Sequence, residues 1–257
     1  MPTHLLINPS HRSIKKALYA RMERRLDGMS DAEIKSYLSD CVYLERQRFM
    51  ANPSHEAEEV ASIEALARGI HEGTDAMREA MLSLVREYSH EIHNRFSERT
   101  FGTAMKLAPA ALKRVLAPGE KGVWRWPDSA PGNHIQVQGP LDKIRALSKT
   151  HTLVYAPTHV SNLDSPLIGY ALHSVGLPPC TYGAGLNLFA NPAMSFFMAR
   201  LGAYTVDRRK RHRLYKDVLK AYSTELISRG AHSLFYPGGT RSRSRKVETQ
   251  VKRGLLG

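Results

Sequence analysis

The feature that most constrains this chain's fold is a change of hydrophobic period near Asn133. Before it, apolar residues recur at three- and four-residue steps, the signature of helices burying one face. After it, short apolar or alternating runs take turns with helical stretches. Strands that alternate with helices imply a layered α/β unit with several parallel strands. The expected class is therefore α/β: a mixed, mainly parallel sheet flanked by helices, preceded by an N-terminal helical bundle. The boundaries read as a helical region over 1–100, an amphipathic basic segment and connector over 101–132, and an α/β core over 133–257.

In the first hundred residues, Ser10 is placed to cap a helix ending near Gly28. Ser30 with Glu33 three positions later forms a capping box, opening a helix to about Met50. Asn52-Pro53 breaks it, and Ser54 caps a further helix ending near Gly69. From about Thr74 to Arg95, Met77, Met81, Leu84, Val85 and Tyr88 form an apolar stripe. His90-Glu91-Ile92-His93 sets its histidines three apart, whereas a zinc-binding HExxH pair needs four to share a helix face. Phe101 to Ala117 mixes apolar residues with Lys106, Lys113 and Arg114, and Pro109 is expected to interrupt it. The segment reads either as interfacial, with basic residues toward lipid headgroups, or as a helix packed on the core. Trp124 and Trp126, among Gly and Pro, mark the connector.

In the second half, Ile135 to Gln138 alternates as a half-buried strand does, and Thr152 to Ala156 suits a buried strand. Ala203 to Val206 and Ser233 to Tyr236 are further strand candidates. Leu167 to Val175 and Arg211 to Ser228 read as helices stopped by Gly176 and Gly230.

Charge and cysteine content narrow the function classes. The net charge is +13, and residues 207–257 hold 14 Lys/Arg against 4 Asp/Glu. That concentration points to anionic partners: phosphate, anionic lipid or nucleic acid. Cys41 and Cys180 are the two cysteines, which leaves no disulfide framework and fits a reducing cytosol. No run of 18 apolar residues is present, so no transmembrane helix is expected.

Three stretches carry residues suited to chemistry. In the first, Leu153 to Ala156 runs into Pro157, a polar loop with His159, and Asp164, before Ser165-Pro166 opens a helix with Ser165 as its cap. Ligands bind at that edge of open α/β sheets. A neutral imidazole there can take a proton from a hydroxyl, with a carboxylate on its other nitrogen fixing the tautomer. In the second, Tyr236-Pro237-Gly238-Gly239-Thr240-Arg241-Ser242-Arg243 is a strand entering a glycine turn and clustered arginines, which match phosphate oxygens. The plainer reading is a solvated basic loop or a nucleic-acid contact. The third, Gly202 to Arg208, is a strand ending in arginine.

Taken together, the three resemble the glycerolipid acyltransferase family, which includes glycerol-3-phosphate and 1-acylglycerol-3-phosphate acyltransferases. That family's first block is a histidine, four residues and an aspartate, matched by His159 and Asp164. Its second, a glycine-aromatic strand ending in arginine, is similar to Gly202–Arg208. Its third reads Phe-Pro-Glu-Gly-Thr-Arg-Ser-Arg, matched at Pro237, Gly239, Thr240, Arg241, Ser242 and Arg243; the glutamate position, associated with acceptor binding, is Gly238. The fourth, a proline-bearing strand, has no counterpart before Gly257, so either the chain is truncated or the core lacks its last strand.

The resemblance implies an acyltransferase of phospholipid synthesis that uses no metal and no cofactor. Its co-substrate would be an acyl thioester, acyl-CoA or acyl carrier protein. His159 would be the base and Asp164 its orienter. Arg208, Arg241 and Arg243 would hold the acceptor phosphate, with Gly239, Thr240 and Ser242 in the substrate loop. Glycerol 3-phosphate is the expected acceptor, its 1-acyl form the alternative. Leu188, Phe189, Phe196 and Phe197 would meet the acyl chain or an anionic membrane, or else are core. The expected location is cytoplasmic, peripheral on that membrane face. No nucleic acid is expected as a partner. The rival class, a basic nucleic-acid-binding protein, lacks interleaved aromatics and the usual module signatures; a salt-dependent gel shift without thiol release would favour it.

Overall fold

The computed structural model describes residues 11–51, 57–92, 94–116, 135–161 and 163–242. Ser10, Asn52-Pro53, Ser54, His93, Trp124, Trp126 and Arg243 lie outside these residues. Five helices come first among the described residues: α1 (His11–Asp27), α2 (Asp31–Ala51), α3 (Ala57–Gly69), α4 (Thr74–Ile92) and α5 (Glu98–Leu116). The capping box forms. Ser30 N–H donates to Glu33 Oε2 at 2.8 Å, and Glu33 N–H reaches Ser30 Oγ at 3.4 Å. These bonds from Ser30 hold the Glu33 carboxyl below its usual range.

Pro109 does not interrupt its segment; α5 runs through it unbroken. A proline inside a helix removes one backbone donor, here the one that would reach the carbonyl of residue 105. The alanines and leucines on either side are strong helix formers and carry the helix across.

The second half runs α6 (Leu141–Ser148), β1 (Val154–Tyr155), α7 (Asp164–Ser174), β2 (Thr181–Gly185), a 3₁₀ turn (Leu186–Phe189), α8 (Pro192–Arg200), β3 (Ala203–Val206), α9 (Arg213–Ser228) and β4 (Ser233–Leu234). The strands lie in the order β1-β4-β2-β3, and every neighbouring pair is parallel. Parallel strands end on one edge, so the segments after β1, β2, β3 and β4 all emerge together there.

Not every expectation holds here. Ile135 to Gln138 alternates in exposure but pairs with no strand among the described residues. Alternation reports one wet face and says nothing about a partner edge. Thr181 to Gly185, unassigned from sequence, is the longest strand among the described residues. Its two glycines hide it from any propensity scale. At Gly183 the paired strand packs close: a Cβ there would lie 3.0 Å from Val206 Cγ2 and 3.1 Å from Tyr204 Cε2.

One hydrophobic cluster joins the two halves of the chain. Ile14, Leu18, Leu38, Leu66, Met81 and Val85 from α1–α4 pack with Leu214, Val218, Tyr222 and Leu226 of α9 and with Tyr204 of β3. Burying a side chain of this size contributes roughly 1.5–3 kcal/mol. Helix α9 therefore has helices on its outer face and the sheet on its inner one. A second cluster, Cys180, Tyr182, Ala184, Ala203 and Leu234, covers the opposite sheet face with Ile168 and Leu172 of α7 and Met198 of α8.

Candidate active site

Proline at 157 cannot donate a ladder hydrogen bond, and β1 ends two residues before it. The chain then turns outward through His159. Asp164 is the first residue of α7. Ser165 is not its cap: it is helical, and its Oγ lies 3.0 Å from the Tyr236 hydroxyl. The turn is instead closed by the Asp164 carboxylate. Its Oδ2 accepts from His159 Nδ1 at 2.7 Å, Val160 N–H at 2.6 Å and Ser161 N–H at 2.8 Å. Partial burial pushes this carboxyl up, but the Ser161 and Val160 amides and the imidazole outweigh it, and its pKa is lowered overall. The helix N-terminus acts in the same direction. A carboxylate on Nδ1 requires the proton there, which leaves Nε2 as the basic nitrogen of a neutral ring.

The other two stretches reach the same place. His159, Arg208, Gly239 and Thr240 line one cavity of about 490 Å³, together with Ser165, Tyr236 and Leu188. Arg208 is exposed, the first residue after the tip of β3 and Asp207, and has no carboxylate partner among the described residues. After β4, Tyr236 O accepts from Gly239 N–H at 3.0 Å, closing a turn with Pro237 in its second position. Gly238 occupies the third position. Gly239 has φ 66°, a left-handed conformation that glycine adopts without strain. The loop is tied to the first stretch by Ser242 N–H, which donates to the His159 carbonyl at 2.7 Å.

Of the other predicted residues among those described, Leu188 lines this cavity and the rest do not. Arg241 is exposed and does not line it. Leu188 reaches it from the 3₁₀ turn. Phe189 packs partly on the sheet and borders a neighbouring cavity of about 400 Å³, which Arg208 also lines. Phe196 and Phe197 are about half exposed on α8, and the Arg200 guanidinium sits 3.7 Å above the Phe196 ring.

Sequence reasoning missed Tyr236. Its ring lies 4.2 Å, centroid to centroid, from the His159 imidazole at a 30° tilt. Burial raises its hydroxyl pKa. The stack and the Asp164 bond together hold the imidazole plane. The available signal was an aromatic residue immediately before the Pro-Gly-Gly turn, in the place of the phenylalanine of the acyltransferase block.

Comparison with known proteins bears on the same half of the chain. Residues 134–257 match the family model described as Acyltransferase. Over 135 residues the chain is 35% identical to a glycerol-3-phosphate acyltransferase of Haemophilus ducreyi. That stretch covers 52% of this chain and 16% of the relative. With the histidine–aspartate pair and the arginine and glycine blocks on one sheet edge, the C-terminal half of this chain is similar to the Acyltransferase family over residues 134–257.

Proposed function

We propose that this chain transfers a fatty acyl group from an acyl thioester, of coenzyme A or acyl carrier protein, to a hydroxyl of glycerol 3-phosphate. The observation that carries the reading is that His159 and Arg208 line one cavity. A phosphate on Arg208 holds the acceptor so that a neighbouring hydroxyl meets the imidazole, and the encounter becomes effectively intramolecular. His159 Nε2 takes the hydroxyl proton. The oxygen attacks the thioester carbonyl, the C–O bond forms, and the tetrahedral centre collapses with loss of the C–S bond. The imidazolium, stabilised by Asp164, returns its proton to the thiolate. Arg241, in the loop that Ser242 ties to His159, adds positive charge on the same sheet edge.

A thiol-release assay comparing glycerol 3-phosphate with its 1-acyl form tests the acceptor. We expect kcat/KM at least about 10-fold higher for glycerol 3-phosphate, the effect of about 1.4 kcal/mol. Preference for the 1-acyl form would assign the chain to the second acylation instead.

The acyl donor's chain and the product call for an apolar surface. Among the described residues no helix is long and apolar enough to cross a membrane. Leu188 lines the cavity, Phe196 and Phe197 are exposed on α8, whose Met198 also lines it, and α5, which packs against α8, exposes Leu107, Val115 and Leu116 beside Lys106, Lys113 and Arg114. Apolar side chains flanked by cations suit an anionic bilayer. Sedimentation with vesicles containing phosphatidylglycerol is expected to retain the chain at low salt and to weaken for Phe196→Ser/Phe197→Ser. Equal pelleting of both proteins would exclude α8 as the docking element.

A further inference from the structure

Arg208 stands on a tight turn whose two ends are buried. Lys210 N–H donates to the Asp207 carbonyl at 3.3 Å, leaving Arg208 and Arg209 at the tip. Asp207 is 3% exposed and Lys210 5%. Asp207 N–H donates to the Tyr215 hydroxyl at 2.7 Å, and its carboxylate takes the Arg209 guanidinium at 2.8–3.2 Å. Arg209 is thereby folded back, and Arg208 alone of the two is left to the cavity.

The far end is anchored in the N-terminal helices. Lys210 Nζ lies 2.6 Å from Glu91 Oε2 on α4 and 3.3 Å from Glu59 Oε1 on α3. It also sits 4.7 Å above the Tyr88 ring. Glu59 shares an oxygen with Arg48 of α2, which is paired in turn with the buried Glu45. Two residues on, His212 is fully buried; its Nδ1 accepts Tyr215 N–H to cap α9, and its Nε2 lies 3.3 Å from the Tyr88 hydroxyl. Burial, with Lys210 nearby, lowers its pKa to about 4, so the ring is neutral.

A buried ion group of this kind is a poor device for stability. Desolvation costs several kcal/mol per ion, and apolar replacements of similar volume are often neutral or better. What it supplies is a defined geometry, because several charge-assisted bonds must be met at once. We infer that Lys210, held by Glu91 and Glu59, is a positioning residue for Arg208, and that the N-terminal helices fix the turn that presents the phosphate-binding guanidinium. This rests on Arg208 holding the acceptor phosphate.

The test measures thiol release with glycerol 3-phosphate and acyl donor varied separately, for wild type, Arg208→Ala, Lys210→Met and Glu91→Gln. Lys210→Met and Glu91→Gln are expected to raise KM for glycerol 3-phosphate about 10-fold, the effect of misplacing one bond to a charged group. KM for the donor and kcat should stay within about twofold, a split that loss of folded protein would not give. Glu91→Gln keeps the side-chain volume and reports even if Lys210→Met does not fold. If Arg208→Ala raises that KM and neither other variant does, the positioning role is overturned and the phosphate reading stands. If Arg208→Ala leaves it unchanged, the phosphate reading fails and the positioning role falls with it.

Discussion

Replacing His159 with alanine is expected to lower kcat for thiol release by about 10²–10⁴-fold, the usual contribution of a positioned general base. The fold should survive. His159 sits at the cavity wall, and its main structural contacts are the Tyr236 stack and the Asp164 bond. Asp164 keeps both backbone donors when the imidazole is gone. The melting temperature should therefore fall by only a few degrees, about 1 kcal/mol in a chain of this size. Stopped assays and a thermal melt on the same preparation check both parts. Turnover that persists at the wild-type rate would remove His159 as the base.

The second large effect is expected from Asp164→Asn, and its profile should differ. An asparagine can still receive the Val160 and Ser161 amides through its oxygen. It then presents its amide nitrogen to Nδ1, which must accept, and the proton moves to Nε2. The ring becomes the wrong tautomer for a base, and kcat should drop by about 10²–10⁴-fold. Stability should also fall, by about 1–2 kcal/mol, because bonds to an ion are exchanged for weaker neutral ones. That loss has a pH signature. The folded pKa of Asp164 is depressed, so its stabilising contribution is present above the unfolded value, about 3.9, and disappears as pH falls through the folded value. Melting curves of wild type and variant should converge below about pH 4 and stay apart above it. A gap that persists at lower pH would mean the carboxylate charge is not what holds the turn.

Much of the site was legible along the chain because its chemistry is local. His159 and Asp164 are five residues apart, and a strand end, a loop and a helix start are enough to bring them into contact. The Pro237-Gly238-Gly239 turn is likewise written in residues that dictate their own backbone. The Ser30–Glu33 box and the β3 strand Ala203–Val206 appear where local pattern puts them. Ser165 misled, since a good capping residue yields when a carboxylate one position earlier collects three donors.

Other features depend on residues distant in sequence, and no local pattern carries them. Strand β2 has two glycines in five residues and is held by pairing with β3 and β4, with Tyr204 and Val206 packed close against Gly183. Tyr236 meets His159 only because β4 inserts between β1 and β2. Lys210 reads as one more cation in a basic stretch until α3 and α4 close over it with Glu59 and Glu91. By itself the sequence determined the residue types of the proposed reaction, the order of the blocks and the change from helical to α/β packing. The tertiary structure decided which arginine faces the cavity, what braces the imidazole and how the two halves share one core. The physical reason is that short-range spacing specifies turns and caps, whereas burial and charge pairing across 70 to 180 residues are set only when the elements pack.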